Sequence, residues 1–189
     1  VGAGWAPYST GHWVWITPWG WTWVDDAPWG FAPFHYGRWV YYRSNWCWAP
    51  GTRVHRPVYA PALVAWVGGP HVSVSVNIGG PVVGWFPLAP REVYVPSYRV
   101  SPRYVREVNY THVTNITNIT QYIGSPQGAA EQRDFSNRKF AHAVTVVPAG
   151  VFTQRQPVAP AAHGLRERSD AHGLTQDLAR GATLVAPPV

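Results

Sequence analysis

The clearest pattern along the chain is a strict alternation of aromatic and other residues in short runs, each broken by turn formers. Gly11-His-Trp-Val-Trp-Ile-Thr is followed by Trp21-Thr-Trp-Val, and Gly37-Arg-Trp-Val-Tyr-Tyr-Arg is followed by Trp46-Cys-Trp-Ala. A period of two puts Trp13 and Trp15 on one face of a strand, and Trp21 and Trp23 on one face of the next. Pro18-Trp19-Gly20 and Ser44-Asn45 supply the reversals, so each unit predicts a β-hairpin, and the unit occurs twice. Cross-strand aromatic pairs contribute about 0.5–1.5 kcal/mol each beyond area burial, so a small sheet can form with few aliphatic side chains.

Between the hairpins, Pro28 and Pro33 exclude a regular central strand and Gly30 permits a tight reversal, which predicts an ordered, aromatic-packed connection. Further on, Val72, Val74, Val76 and Ile78 alternate with Ser73, Ser75 and Asn77, the pattern of an amphipathic strand. The flanking segments from Val58 and from Val82 read as strands stopped by proline. Tyr94 to Tyr110 alternates Tyr, Val, Arg and Pro without a clear element. The β-branched polar run Val113 to Ile123 predicts an exposed edge strand, with Val113, Asn115, Ile116, Asn118 and Ile119 as its assembly edge. Gly124 to Asn137 reads as a polar loop with a short helix near Ala129 to Gln132, and Ala141 to Val147 as a last strand before a turn. The fold class expected is all-β: tandem aromatic-rich hairpins in a small sheet or barrel, with irregular Pro-rich connections.

Composition divides the 189 residues into three stretches. All twelve Trp lie between Trp5 and Trp85, and no aromatic follows Phe152. The expected organisation is a Trp-rich hairpin region at 1–90, a β-rich extension at 91–156, and an Ala/Pro-rich flexible or partner-ordered tail at 157–189, with Leu165 to Arg168 and Leu174 to Arg180 as marginal helical turns.

Charge adds little. The formal net charge is +6, but the cations are spread among acids and no Lys/Arg run exists, which argues against nucleic acid and leans toward anionic surfaces. Cys47 is the only cysteine, so no internal disulfide forms; a small buried thiol is expected. The absence of Met and the Val1 start predict a processed, exported chain, and no apolar run approaches the ~20 residues of a membrane span.

Candidate chemistry is sparse. Eight histidines, at 12, 35, 55, 71, 112, 142, 163 and 172, show no pair at metal-ligand spacing, so neither a metal nor a cofactor is expected. Asp25 and Asp26 are the only acids before Glu92 and point to opposite faces of a strand, which suits turn amides better than paired-carboxylate hydrolysis. No Gly-x-Ser-x-Gly elbow is present, and catalysis is not expected. Asn109-Tyr-Thr, Asn115-Ile-Thr and Asn118-Ile-Thr match the glycosylation pattern, though a polar edge strand explains them as well. The aromatics are expected chiefly as core, with a functional remainder on turns or outer faces. Trp19, Trp29, Tyr36, Tyr41 and Tyr42 are the candidate contacts for ligand or partner, with Arg38 and Arg43 for polar contacts.

The motifs Pro18-Trp-Gly-Trp, Pro28-Trp-Gly-Phe-Ala-Pro-Phe-His-Tyr-Gly-Arg-Trp, Tyr59-Ala-Pro-Ala-Leu-Val-Ala-Trp-Val-Gly-Gly, Val83-Gly-Trp-Phe-Pro-Leu-Ala-Pro and Ala143-Val-Thr-Val-Val-Pro occur in that order. Over roughly residues 5 to 158 they resemble a bacterial Trp/Tyr-rich domain of unknown function, the DUF6600 type, which often follows a FecR-type sigma-regulator domain or a signal peptide in Gram-negative bacteria. The resemblance implies a periplasmic, cell-surface or extracellular setting and brings no catalytic residues. The leading expectation is a non-enzymatic structural or interaction protein of the envelope or matrix that self-associates. The alternatives are a carbohydrate-binding module using exposed Trp and Tyr on a polysaccharide, and an accessory subunit of a larger envelope complex.

Overall fold

A computed structural model describes residues 4–68, 82–113 and 135–168. Both predicted hairpins form. In the first, β1 (Gly11–Ile16) pairs antiparallel with β2 (Gly20–Asp25), setting Trp13 opposite Trp23 and Trp15 opposite Trp21. The second pairs β3 (Arg38–Tyr42) with β4 (Asn45–Ala49), setting Trp39 opposite Trp48 and Tyr41 opposite Trp46. Its reversal is Arg43-Ser44, one residue earlier than expected, because Tyr42 pairs with Asn45 and leaves a two-residue loop. Both loop residues have positive φ, +47° and +60°, and the Asn45 amide donates to the Arg43 carbonyl at 2.9 Å.

The Pro-rich connection is ordered, as expected, and contains a one-turn helix, α1 (Phe31–His35). Asp25 anchors its start: one carboxylate oxygen accepts from the Ala27 amide and the other from the Trp23 indole N–H. The turn-amide role anticipated for this acid is therefore realised.

A third, three-stranded sheet has the order β5 (Val64–Gly68), β6 (Val82–Pro87), β7 (Thr145–Pro148), all antiparallel. The class is all-β in small antiparallel sheets, and no barrel closes among the described residues. The central strand β6 is buried along its whole length, consistent with its unbroken apolar run. Main-chain bonds stitch the hairpins to this sheet: the Trp23 amide donates to Pro61, and the Trp39 amide to Leu88.

The core is aromatic. Tyr8, Trp13, Trp23, Phe34, Trp85 and Phe152 are essentially inaccessible. Phe152 packs on four indoles, stacked on Trp13 at 5.6 Å and tilted or edge-on to Trp21, Trp66 and Trp85. Tyr8 crosses the interior with both ends of its hydroxyl used, donating to the Phe34 carbonyl at 2.9 Å and accepting from the Leu63 amide at 3.1 Å.

The structure corrects several expectations. The run from Tyr94 to Tyr110 contains a helix, α2 (Pro102–Asn109), started by the Ser101 hydroxyl accepting from the Tyr104 amide, with Pro102 in the first turn. A 3₁₀ turn at Asn137–Lys139 precedes the expected last strand, and a second, Ala141–Ala143, replaces its first half, leaving the shorter β7. The chain then forms α3 (Gly150–Thr153) and α4 (Val158–Arg168). The boundary expected at 157 does not separate a tail from the fold, because Val158 and Ala162 of α4 sit in the same core cluster as Trp13 and Trp85. The boundary expected near 90 is crossed by the β6–β7 ladder. Cys47 is exposed rather than buried, since it lies opposite Val40 on the face of the second hairpin away from the indoles. The strand expected at 72–78, the edge residues beyond Val113, the polar loop up to 134 and the segment from 169 onward lie outside the described residues.

Candidate functional site

The residues expected to meet a ligand or partner divide sharply. Arg38 is 1 % exposed and unavailable as a surface contact. Its guanidinium donates to the carbonyls of Glu92 and Gly37 and to the side-chain oxygen of Asn109, the last residue of α2. Tyr41 faces inward beside Trp46, Phe140 and His142, so it too is committed to packing. Trp19 is half-buried against Tyr59 and Tyr104. Trp29 is exposed but rests on Phe34 and Trp5. Tyr42 and Arg43 are exposed at the tip of the second hairpin, where the guanidinium lies 5.2 Å over the tyrosine ring. Tyr36 is half-buried and reaches a cleft beside α1. Val113, the first of the assembly-edge residues, is buried with Val93 and Val105, so its side chain is not available to another chain. Asn115, Ile116, Asn118 and Ile119 lie outside the described residues.

That cleft is a feature the sequence pattern did not mark: an open concavity of about 880 Å³ between α1, the end of β4, the irregular loop 50–58 and the outer face of α2. Each wall has a local cause. Pro50, Gly51 and Pro57 keep the loop from pairing as a strand. The Thr52 amide donates to the Thr111 carbonyl at 3.2 Å and ties the loop to the end of α2. Gly51, at φ +82°, has no room for a side chain, since a Cβ there would lie 2.6 Å from His112 Nε2. On the opposite wall the Trp48 indole N–H donates to the Tyr36 carbonyl at 2.9 Å, which fixes the plane of an exposed ring.

The cleft carries aromatic and cationic groups together. Trp48, Tyr36 and Tyr110 line it, and Tyr110 is exposed. At its rim Phe31, 66 % exposed, begins a patch of rings running through His35, Tyr36 and Tyr59 to Trp19, with centroid separations of 4.7 to 6.3 Å. Arg103 is paired with Glu107 at 2.7 Å. Arg53 and Arg56, by contrast, have neither an ion pair nor a hydrogen bond among the described residues. The signal that could have found them is the Pro50 to Pro57 loop itself, which holds two arginines and no acid.

Behind the cleft lies a buried polar knot. Asn109 accepts from Arg38 and from the Tyr94 amide, and donates to the carbonyls of Tyr94 and Val105. Its amide is fully used and inaccessible, so the Asn109-Tyr-Thr pattern is no glycan acceptor in this fold. Glu92 accepts from the amides of Ala89 and Ser136. Burial pushes its carboxyl above the usual range, against those amides and the Arg38 charge, and pushes the Arg38 guanidinium down to about 10. Desolvation, with Arg38 nearby, lowers His112 to about 4. Desolvation also lowers His35, whose Nδ1 is 2.8 Å from the Ala60 carbonyl. Among the described residues no group of three or more His, Cys, Asp or Glu could hold a metal ion, and no helix is long and apolar enough to cross a membrane.

No curated protein and no solved structure matches the chain. The last of the ordered motifs, Ala143 to Pro148, contains β7 and lies beyond the stretch that a family model covers. The aromatic first half of the chain, residues 1–92, matches the model of a family of unknown function, DUF6600, the family its Pro-Trp-Gly motifs resemble.

Proposed function

We propose that the protein is a non-enzymatic interaction domain of the bacterial envelope or extracellular space, and that it binds polysaccharide in the cleft between α1 and α2. The observation that carries this reading is the set of flat rings presented to an open concavity: Trp48, held in plane by its bond to Tyr36, faces a space of about 880 Å³ shared with Tyr110. Such rings offer a rigid apolar face with a negative quadrupole on which the C–H face of a sugar stacks, at little conformational cost. Most polar groups behind the cleft are consumed in structural bonds, which favours holding a ligand over transforming it.

The test is a titration of the full chain with soluble cell-wall and matrix glycans, read by Trp fluorescence and calorimetry. The expected outcome is a saturable response that Trp48→Ala abolishes while the chain still unfolds in one cooperative transition, at a melting temperature lowered by the loss of the Trp39–Trp48 pair. A flat titration for every glycan would sink the reading, and a large species resisting hundredfold dilution in light scattering would then favour self-association. That second reading is supported by the exposed apolar side chains Trp15, Ile16 and Val24 on the first hairpin.

A further inference from the structure

The charge in the cleft narrows the ligand class, given the polysaccharide reading on which this step rests. Among the described residues, the charged side chains lining the cleft are Arg53, Arg56, Arg103 and Glu107. Arg103 and Glu107 neutralise each other one helical turn apart, on the α2 wall. Arg53 and Arg56 lie on the loop 50–58 and have no partner among the described residues. The result is a polarised groove, balanced on the helix side and with about two uncompensated positive charges on the loop side. Three residues of extended chain span at most ~10 Å, so the two guanidiniums can meet neighbouring anionic groups on one polymer.

We infer that the cleft selects a carboxylate-bearing polysaccharide, with sugar rings lying against Trp48 and Tyr36 and uronate groups turned toward Arg53 and Arg56. A planar guanidinium matches a carboxylate in a two-pronged pair, and such charge-assisted bonds are stronger than those to neutral hydroxyls. Two arginines unpaired among the described residues are few beside a protein that makes about 6–10 phosphate contacts, and the sequence holds no cationic run to extend the track. The paired Arg103 and Glu107 on α2 leave Arg53 and Arg56 as the cations open to an acidic group.

The probes are oligomeric polygalacturonate, its methyl ester with the same backbone, and inorganic polyphosphate, titrated into the full chain at low and moderate salt. Polygalacturonate is expected to bind about tenfold or more tightly than the ester, and to weaken as salt rises. In Arg53→Gln/Arg56→Gln the acid form is expected to fall to the level of the ester, while the melting temperature holds because neither side chain has a structural partner among the described residues. Equal binding of acid and ester, unchanged in the double variant, would overturn the acidic-ligand inference and leave the polysaccharide reading standing. Polyphosphate binding as tightly as polygalacturonate, with Trp48→Ala without effect on either, would show simple anion attraction and overturn both. No binding of either galacturonan would also overturn the inference, with the wider glycan titration then deciding the polysaccharide reading independently.

Discussion

At the scale of single residues, the protein concentrates its polar risk in a few buried side chains. Asn109 makes four hydrogen bonds to groups with no other access to water, one of them from a buried cation. Removing the amide takes one acceptor from the buried Arg38 and leaves the Tyr94 amide and carbonyl without their Asn109 partner. Asn109→Ala is therefore expected to cost about 3 kcal/mol or more, read as a lowered urea midpoint with an unchanged slope. His112 gives a second residue-level expectation. Its folded pKa, about 4, lies below the ordinary 6.5, so its contribution to stability is complete above pH 6.5 and is lost as pH falls toward 4. The raised carboxyls of Asp25 and Glu92 act in the opposite sense, adding stability at low pH that fades as pH rises through their elevated values. In His112→Leu the fall in melting temperature between pH 6.5 and 4 should shrink; an undiminished fall would assign it to other groups. None of these roles was legible in the sequence. Arg38 looked like a hairpin surface residue because alternation places it on the face opposite Trp39, whereas Glu92 and Asn109, distant in the sequence, bond to its buried guanidinium.

Among the elements, the hairpins were the most legible, since the alternation of Trp with small or β-branched residues marks the strands, although the reversal of the second lies one residue earlier than its Ser44-Asn45 suggested. The turn of the second hairpin is less well matched to its sequence. Arg43 and Ser44 occupy left-handed backbone that Asn and Gly adopt at lower cost. Arg43→Asn/Ser44→Gly should raise stability by about 0.5–1 kcal/mol, measured as a higher urea midpoint. No change would mean that the tip is strained less than its φ angles suggest. Helix α2 was hidden for a physical reason. Its apolar positions Tyr104, Val105 and Val108 fit helical spacing, yet tyrosine and valine also favour strands, and nearby prolines read as strand breaks. The Ser101-Pro102 start and the Arg103–Glu107 pair were the signals that would have settled it. The cleft was illegible because its walls come from residues 32–63 and 103–111, which only the tertiary fold brings together.

The whole molecule is organised around a dependence of its aromatic half on the residues C-terminal to it. Residues 1–92 carry all the indoles, but the side chain that fills the space among Trp13, Trp21, Trp66 and Trp85 is Phe152, and the strand that closes the third sheet is β7. Phe152→Ala should cost about 3–5 kcal/mol by denaturant unfolding. A chain ending at residue 92 should lack a cooperative thermal transition; a sharp transition in that fragment would show that the hairpins form a self-sufficient core. The all-β class was readable from periodicity alone. The three-part division was not, because composition marks where the aromatic residues fall in the chain and is silent about which later aliphatic and aromatic residues complete their packing.

The same cluster gives the protein an optical character of its own. Trp13, Trp23, Trp66 and Trp85 lie with neighbouring ring centroids 4.7 to 6.4 Å apart and mostly at steep angles. Indoles held this close share their excited states, so their transitions couple into a paired positive and negative band in circular dichroism that depends on the fixed angles between them. Light absorbed at a peripheral ring can migrate inward before it is emitted. The native chain therefore carries an internal chromophore array whose signal vanishes when the rings lose their mutual orientation, even if the strands themselves persist.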